Sequence, residues 1–258
     1  MRHPGIATNA RSFVGWSPLR RSGRAELMDA PIDDREELAA NFADIKRVNR
    51  FLGGTSAVLS SLDVLTDGAS FDRPLKILDL ATGCADIPVA VLAWAKRRGL
   101  AVEITATDLL DDMLDLAYAA TEPHPEIAVA RCDARSLPYP DRSHDVVLCS
   151  LALHHFNDVD AAAVLSEMDR VGRIGFILND LERSRVGYAA AWIAARCTTR
   201  NRLTRNDAPL SVLRAFTPEE LAILLRAAGV QGAAIRRRRW FRMVAVRQQG
   251  VSDVDQGR

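Results

Sequence analysis

Two adjacent histidines, His154 and His155, follow closely on the apolar run Asp145-Val146-Val147-Leu148-Cys149-Ser150-Leu151. Imidazole titrates near neutral pH, so histidines delivered by the carboxyl end of a buried strand can supply a general base or a hydrogen-bond donor. One of the pair is expected to be structural, its ring bonded to the backbone. The other histidines, His3, His124 and His144, show no ligand spacing with them, so no metal is expected. Acids mark the ends of other apolar runs: Asp79 within Leu75–Leu80, Asp108 after Val102–Thr107, Asp133 after Ile127–Cys132, and Asp180 after Gly172–Asn179. If those runs are parallel strands, all four carboxylates converge on one edge of a sheet. Asp180 is then a candidate on the substrate side, beside the histidines.

The first of these runs leads into Ala81-Thr82-Gly83-Cys84-Ala85-Asp86-Ile87-Pro88. Small residues alternate through the turn, Asp86 is a suitable N-cap, and Pro88 falls in the first helical turn, where its missing N–H costs nothing. Strand, small-residue turn and helix start make a nucleotide cradle. The dinucleotide fingerprint G-x-G-x-x-G does not fit, because its third glycine would be Asp86 or Pro88, depending on the frame. Asp108 lies about 25 residues beyond Gly83, close to the spacing at which a carboxylate accepts from two ribose hydroxyls. Asp133 is placed to accept an exocyclic amine of the base, with a simple loop cap as the alternative reading.

These residues need a scaffold, and the chain supplies strands alternating with helices. Helical runs are expected from Asp33 to Leu52, ending at Gly53-Gly54, and from Ser56 to Leu65; they brace the sheet or cover the ligand, with Asn49 or Arg50 reaching it. Further helices are expected from the turn to Gly99, over Asp111–Ala120 and Asp158–Val171, and from Thr217 to Gly229, the last opened by the capping box Thr217-Pro218-Glu219-Glu220. Ala233–Val246 reads as two strands joined near Arg238-Arg239-Trp240. Alternation would split Arg236–Arg239 between two faces, as on a solvated edge. The fold class is therefore α/β: a doubly wound, mostly parallel, seven-stranded Rossmann-like sheet, with an N-terminal helical cap and an insertion after strand five. The expected divisions are a disordered basic leader (1–27), the cap (28–70), the main domain (71–247) with an apolar then polar insertion over 183–214, and a disordered tail (248–258).

Composition narrows the classes. The 258 residues carry a net charge of +1, which argues against nucleic-acid binding through bulk electrostatics. No apolar run is long enough to span a bilayer. Cys84, Cys132, Cys149 and Cys197 form no C-x-x-C pair and are expected to be reduced thiols in a cytoplasmic protein. The first 24 residues contain arginines, no acid and no apolar core of a secretory signal, and Met28 is an alternative start.

The acidic-x-small-x-Gly-x-small turn, Asp79-x-Ala81-x-Gly83-x-Ala85, resembles that of the class I S-adenosylmethionine (SAM)-dependent methyltransferases, with two alanines in glycine positions. The run Ser150-Leu151-Ala152-Leu153-His154-His155-Phe156 is similar to the small-molecule members typified by ubiquinone and menaquinone biosynthesis enzymes. Glu26–Asp29, Asn49–Gly54 and Asp207–Val212 resemble, more loosely, methyltransferases encoded beside bacterial type III polyketide synthases, which speaks against Met28 as the start. The resemblance implies SAM as cofactor, held by Asp79, Ala81, Thr82, Gly83, Ala85, Asp108, Leu109, Asp133, Ala134 and Ser150, with His154, His155 and Asp180 in catalysis. It also implies a small apolar acceptor, methylated at oxygen on a phenolic, quinone-like or polyketide-derived molecule, in a monomer or homodimer. Carbon methylation, a non-catalytic SAM-binding protein and, more remotely, a nicotinamide-dependent oxidoreductase remain alternatives. Exocyclic-amine methylation of nucleic acid is disfavoured, because no Asn/Asp-Pro-Pro-aromatic run follows the fourth strand.

Overall fold

The computed structural model describes residues 19–30, 32–69 and 71–249. Seven strands form one sheet in the order β3-β2-β1-β4-β5-β7-β6. They are β1 (Leu75–Leu80), β2 (Val102–Asp108), β3 (Ile127–Arg131), β4 (His144–Ser150), β5 (Gly172–Leu181), β6 (Ala234–Arg238) and β7 (Arg242–Gln248). The first five are parallel, and β7 lies antiparallel between β5 and β6. The order reverses between β1 and β4, which creates the crevice where an open α/β sheet binds its ligand. Both strands are buried along nearly their whole length, Lys76 at the start of β1 being the exposed exception, as their largely apolar runs require.

The helices divide by role. On the sheet faces lie α2 (Gly54–Thr66), α3 (Asp86–Arg98), α4 (Asp111–Thr121), α5 (Asp158–Val171) and α8 (Pro218–Ala227). Leu62, Val91, Leu165 and Leu221 from four of them are fully buried against the strands. Helices α1 (Arg35–Phe51), α6 (Arg185–Thr198) and α7 (Arg202–Arg214) form a roof above the carboxyl ends of the strands. Asn201 Nδ2 donates to the Glu37 carbonyl, and the Thr204 hydroxyl joins Asn41 to Asp44, so α7 and α1 are tied together by polar bonds. The capping box of α8 forms as expected, between Thr217 and Glu220.

Several expectations are corrected. Residues 19–27, assigned to a disordered leader, lie against the roof: Ser22 N–H donates to the Leu213 carbonyl, and Arg21 reaches the carbonyls of His154 and Phe156. Residues 1–18 and 250–258 lie outside the described residues. Strand β3 stops at Arg131 rather than Ala134, whereas β5 runs on to include Asn179 and Asp180. The polar stretch after residue 198 enters a helix at Arg202, capped by Asn201; interior Pro209, which argues against a helix, is accommodated there. Asp86 is the first helical residue of α3, not its N-cap; that place falls to Ala85 in a left-handed conformation. The four arginines at 236–239 lie on and beside edge strand β6, where Arg237 pairs with Glu182 and Glu219, consistent with a solvated edge.

Asp145, buried at the start of β4, locks β1 to β4 and β5. Its carboxylate takes two bonds from Arg73, one from the Lys76 N–H and one from Arg173. Burial alone would raise its pKa, but these donors prevail and hold it below the ordinary aspartate range. A depressed folded pKa adds stability at pH values above the unfolded pKa, and that stability disappears as acid titrates the folded group. Asp145→Asn should lower unfolding free energy by about 2–4 kcal/mol at pH 7. In urea titrations the gap to the unaltered protein should narrow below about pH 4; a gap that stays constant would show that the charge is immaterial. Separately, Ala81 and Ala85 both have φ near +55°, a region that favours glycine. Ala81 is only partly buried, so Ala81→Gly should release strain worth about 0.5–1 kcal/mol and raise Tm by about 1–3 °C. A fall in Tm would mean that the methyl group packs more than it strains.

Candidate active site

The turn after β1 is shaped by alternation. Ala81, Gly83 and Ala85 all have positive φ, so the backbone winds tightly and turns its N–H groups inward. Gly83 N–H donates to Asp108 Oδ2, while Leu109 and Leu110 N–H donate to Oδ1. Three backbone donors therefore aim this buried carboxylate at the turn, with lone-pair capacity left for a ligand hydroxyl. Burial raises the Asp108 pKa despite those bonds. A side chain at Gly83 would place its Cβ 3.0 Å from the Phe42 ring, so α1 closes directly over the turn. Leu109 and Leu110 remain exposed next to Asp108 and offer an apolar surface at the same edge.

Deeper in, Asp79 is fully enclosed. Burial pushes its pKa up to about 7, the nearby Thr82 hydroxyl opposes the shift, and the fields of Asp86 and Asp108 add to it. Asp79 Oδ1 and Asn179 Oδ1 have no hydrogen-bond partner among the described residues. Buried polar atoms without partners at the head of a crevice are acceptors prepared for a ligand's donors. The Ser150 hydroxyl accepts from Asn179 Nδ2 at 2.7 Å, which ties β4 to β5. Asp133 sits at the rim, paired with Arg135 through both side-chain oxygens, so its carboxylate is already engaged; Ala134 beside it is buried.

The histidines differ from expectation in their partners. Neither ring bonds the backbone; both bond carboxylates. His154 is buried, with Nδ1 2.7 Å from Asp180 Oδ1, and its N–H donates to Asp180 Oδ2 at 3.0 Å. His155, half-buried, places Nδ1 2.6 Å from Asp29 Oδ1. Burial opposes ionisation of Asp180, but the facing His154 and its hydrogen bonds prevail and hold the pKa below its ordinary value. The two rings lie 4.3 Å apart, and Glu26 comes up beneath them from the N-terminal segment. Arg214 of α7 bonds the Asp29 carboxylate and the carbonyls of both histidines.

Sequence reasoning placed His154, His155 and Asp180 together correctly, but it missed Glu26, Asp29 and Arg214. Asp29 lies within the segment quoted for its resemblance to methyltransferases, and no spacing rule connects it to His155. Arg242 was also missed. Its guanidinium is buried between α1 and β7 and donates to Asn49 Oδ1, while Asn49 Nδ2 donates to Asp86. Desolvation lowers the Arg242 pKa to about 10, against the fields of Asp180 and Asp86. A Cβ at Gly54 would meet both Asn49 and Arg242, at 2.6 and 2.9 Å, so that glycine is required by close approach. Of the two residues expected to reach a ligand from the cap, Asn49 points inward to α3, and Arg50 is exposed.

Comparison with known proteins agrees with this geometry. A family model described as a methyltransferase domain matches residues 77–175, from β1 into β5. A demethylmenaquinone methyltransferase of Deinococcus radiodurans is 34% identical over 169 residues, covering 60% of this chain and 68% of that protein. A ubiquinone/menaquinone biosynthesis C-methyltransferase of Bordetella avium is 38% identical over 128 residues, 49% of this chain and 48% of the relative. The chain thus spans about half the length of several of the curated relatives it matches. Human N-acetylserotonin methyltransferase, solved in complex with SAM, shares the fold at a TM-score of 0.59 and 15% identity, over 86% of this chain and 61% of that one. The four described cysteines are free thiols, and no helix among the described residues is long and apolar enough to cross a membrane. With the sheet order, the small-residue turn and the carboxylates at its edge, these similarities establish that the chain belongs to the class I SAM-dependent methyltransferases.

Proposed function

We propose that this protein transfers a methyl group from SAM to the oxygen of a small phenolic, quinone-like or polyketide-derived acceptor. The observation that carries the reading is the buried His154–Asp180 pair at the carboxyl end of β4 and β5, beside the cofactor turn. The residues present fit the cofactor. The unpartnered Asp79 Oδ1 is an acceptor for an ammonium group, Asp108 is aimed by backbone donors for ribose, and Leu109 with Leu110 offers an apolar face for the base. Thr82 and Gly83 line the turn between them, while Asp133 would first have to release part of its pairing with Arg135. When bound, SAM supplies a methyl group already activated on a sulfonium.

The protein's own task is to place the acceptor and manage one proton. Asp180 accepts from Nδ1–H of His154, which leaves Nε2 as the basic nitrogen. A phenol has a pKa near 10, so a base held against its hydroxyl raises the reactive phenolate fraction at neutral pH. The roof, with the N-terminal segment lying against it, covers that step and limits access of water. Carbon methylation is a second reading, favoured by the C-methyltransferase named among the relatives. It needs the same base, because a phenolate also carries electron density on its ring carbons.

Two measurements test these roles. Asp108→Ala should weaken calorimetric binding of S-adenosylhomocysteine by about tenfold or more, and unchanged affinity would remove it from the site. His154→Ala should lower kcat by about 10²–10⁴ with phenolic acceptors, at unaltered affinity for S-adenosylhomocysteine. The position of a 13C-labelled methyl in the product, read by NMR, separates oxygen from carbon attack. Turnover that survives intact in His154→Ala would place the base elsewhere.

A further inference from the structure

Three groups rich in lone pairs face one another beneath the roof. Asp180 and Asp29 take Nδ1 of His154 and His155, at 2.7 and 2.6 Å. A carboxylate only accepts, so each Nδ1 donates its proton and Nε2 is the nitrogen turned away from that partner. Both Nε2 atoms face the Glu26 carboxylate: that of His154 is 3.7 Å from Oε1, and that of His155 is 4.0 Å from Oε2. One ligand atom from each of the three residues lies within 4.8 Å of the others. The Glu26 side chain is 1% exposed, and its Oε1 has no hydrogen-bond partner among the described residues. Arg214 Nε approaches that oxygen only to 3.8 Å, because its guanidinium is committed to Asp29 and to the carbonyls of the two histidines.

We propose that Glu26, His154 and His155 form a binding site for a divalent transition-metal ion of the zinc class. Two imidazoles and one carboxylate are a borderline-soft donor set suited to such an ion. Bond lengths of about 2.0–2.1 Å place tetrahedral ligand atoms about 3.4 Å apart, so separations of 3.7 to at most 4.8 Å need to close by about 0.3–1.4 Å. Asp180 and Asp29 are the outer partners that metal-binding histidines require, since they fix the tautomer and aim each Nε2. Three protein ligands leave a fourth position open, the pattern of sites that bind a reactant rather than brace a fold. No metal was expected because only histidine spacing was weighed, and the third ligand is a carboxylate from the N-terminal segment, far from the histidines in the chain.

The open position fits the oxygen of a deprotonated acceptor, with the phenol's proton released to solvent; this acceptor assignment rests on the proposed function, whereas metal binding does not. In the loaded protein His154 then acts through the ion. The test uses the full chain, stripped with EDTA and titrated with Zn²⁺ and Co²⁺ separately. About one equivalent of tightly bound ion is expected, and Co²⁺ should give the intense visible absorption of a tetrahedral nitrogen–oxygen site. Glu26→Gln and His155→Ala should each weaken binding by about tenfold or more. His155 is the safer substitution for folding because it is only half-buried, and the metal-free melting temperature monitors both variants. Absence of a stoichiometric ion, or binding unchanged in both variants, overturns the site. If one equivalent binds through these residues but no phenolic acceptor is methylated, the proposed function fails and the metal site stands.

Discussion

The structure depends on where its buried ionisable groups are allowed to sit. Asp79, Asp108, Asp180, Glu26, His154, Arg214 and Arg242 are all buried, and they cluster at the carboxyl edge of the sheet. A buried charge is costly unless paired and hydrogen-bonded, so most of these groups are held by partners nearby, and atoms of Asp79, Glu26 and Arg242 are left without one among the described residues. The sheet alone cannot supply those partners. Asp29 comes from the N-terminal segment, Arg214 from α7 and Asn49 from α1. The roof is therefore more than a cover: without it, several groups at the strand ends would be buried with no partner or exposed without their orientation.

The same constraint explains the division of labour between the two faces of the crevice. On the β1–β2 side, backbone N–H groups hold Asp108, so that half of the site is built into the turn. On the β4–β5 side, side chains hold side chains: His154 with Asp180, His155 with Asp29, Arg214 with both carbonyls. The first arrangement uses only local chain geometry and suits a ligand common to a whole family. The second draws on the insertion after β5 and the N-terminal segment, both outside the sheet.

That division also decides what could be read from the sequence. The strand, small-residue turn and acid on the β1–β2 side were legible because they are close in the chain and follow periodicity and small-residue rules; the left-handed conformation of Ala81 and Ala85 was not. His154, His155 and Asp180 were legible because parallel strands deliver their ends to one edge. Glu26 and Asp29 were not, since they precede the first helix amid arginines and gain meaning only through contacts with strand ends far along the chain. Helix α7 was not expected, because its stretch read only as the polar part of an insertion; it packs on α1 and α6 with Pro209 inside it. Arg242 was hidden behind the neighbouring arginine run, which drew attention to a solvated edge one turn earlier.

Phe42 lies over Gly83, so the small-residue turn after β1 shares its surface with α1. Helix α1 is in turn bonded to α7, and α7 carries the arginine that bonds the carbonyls of both histidines. The two sides of the crevice are therefore joined above the sheet as well as through it, and a substitution that shifts α1 should be felt on both.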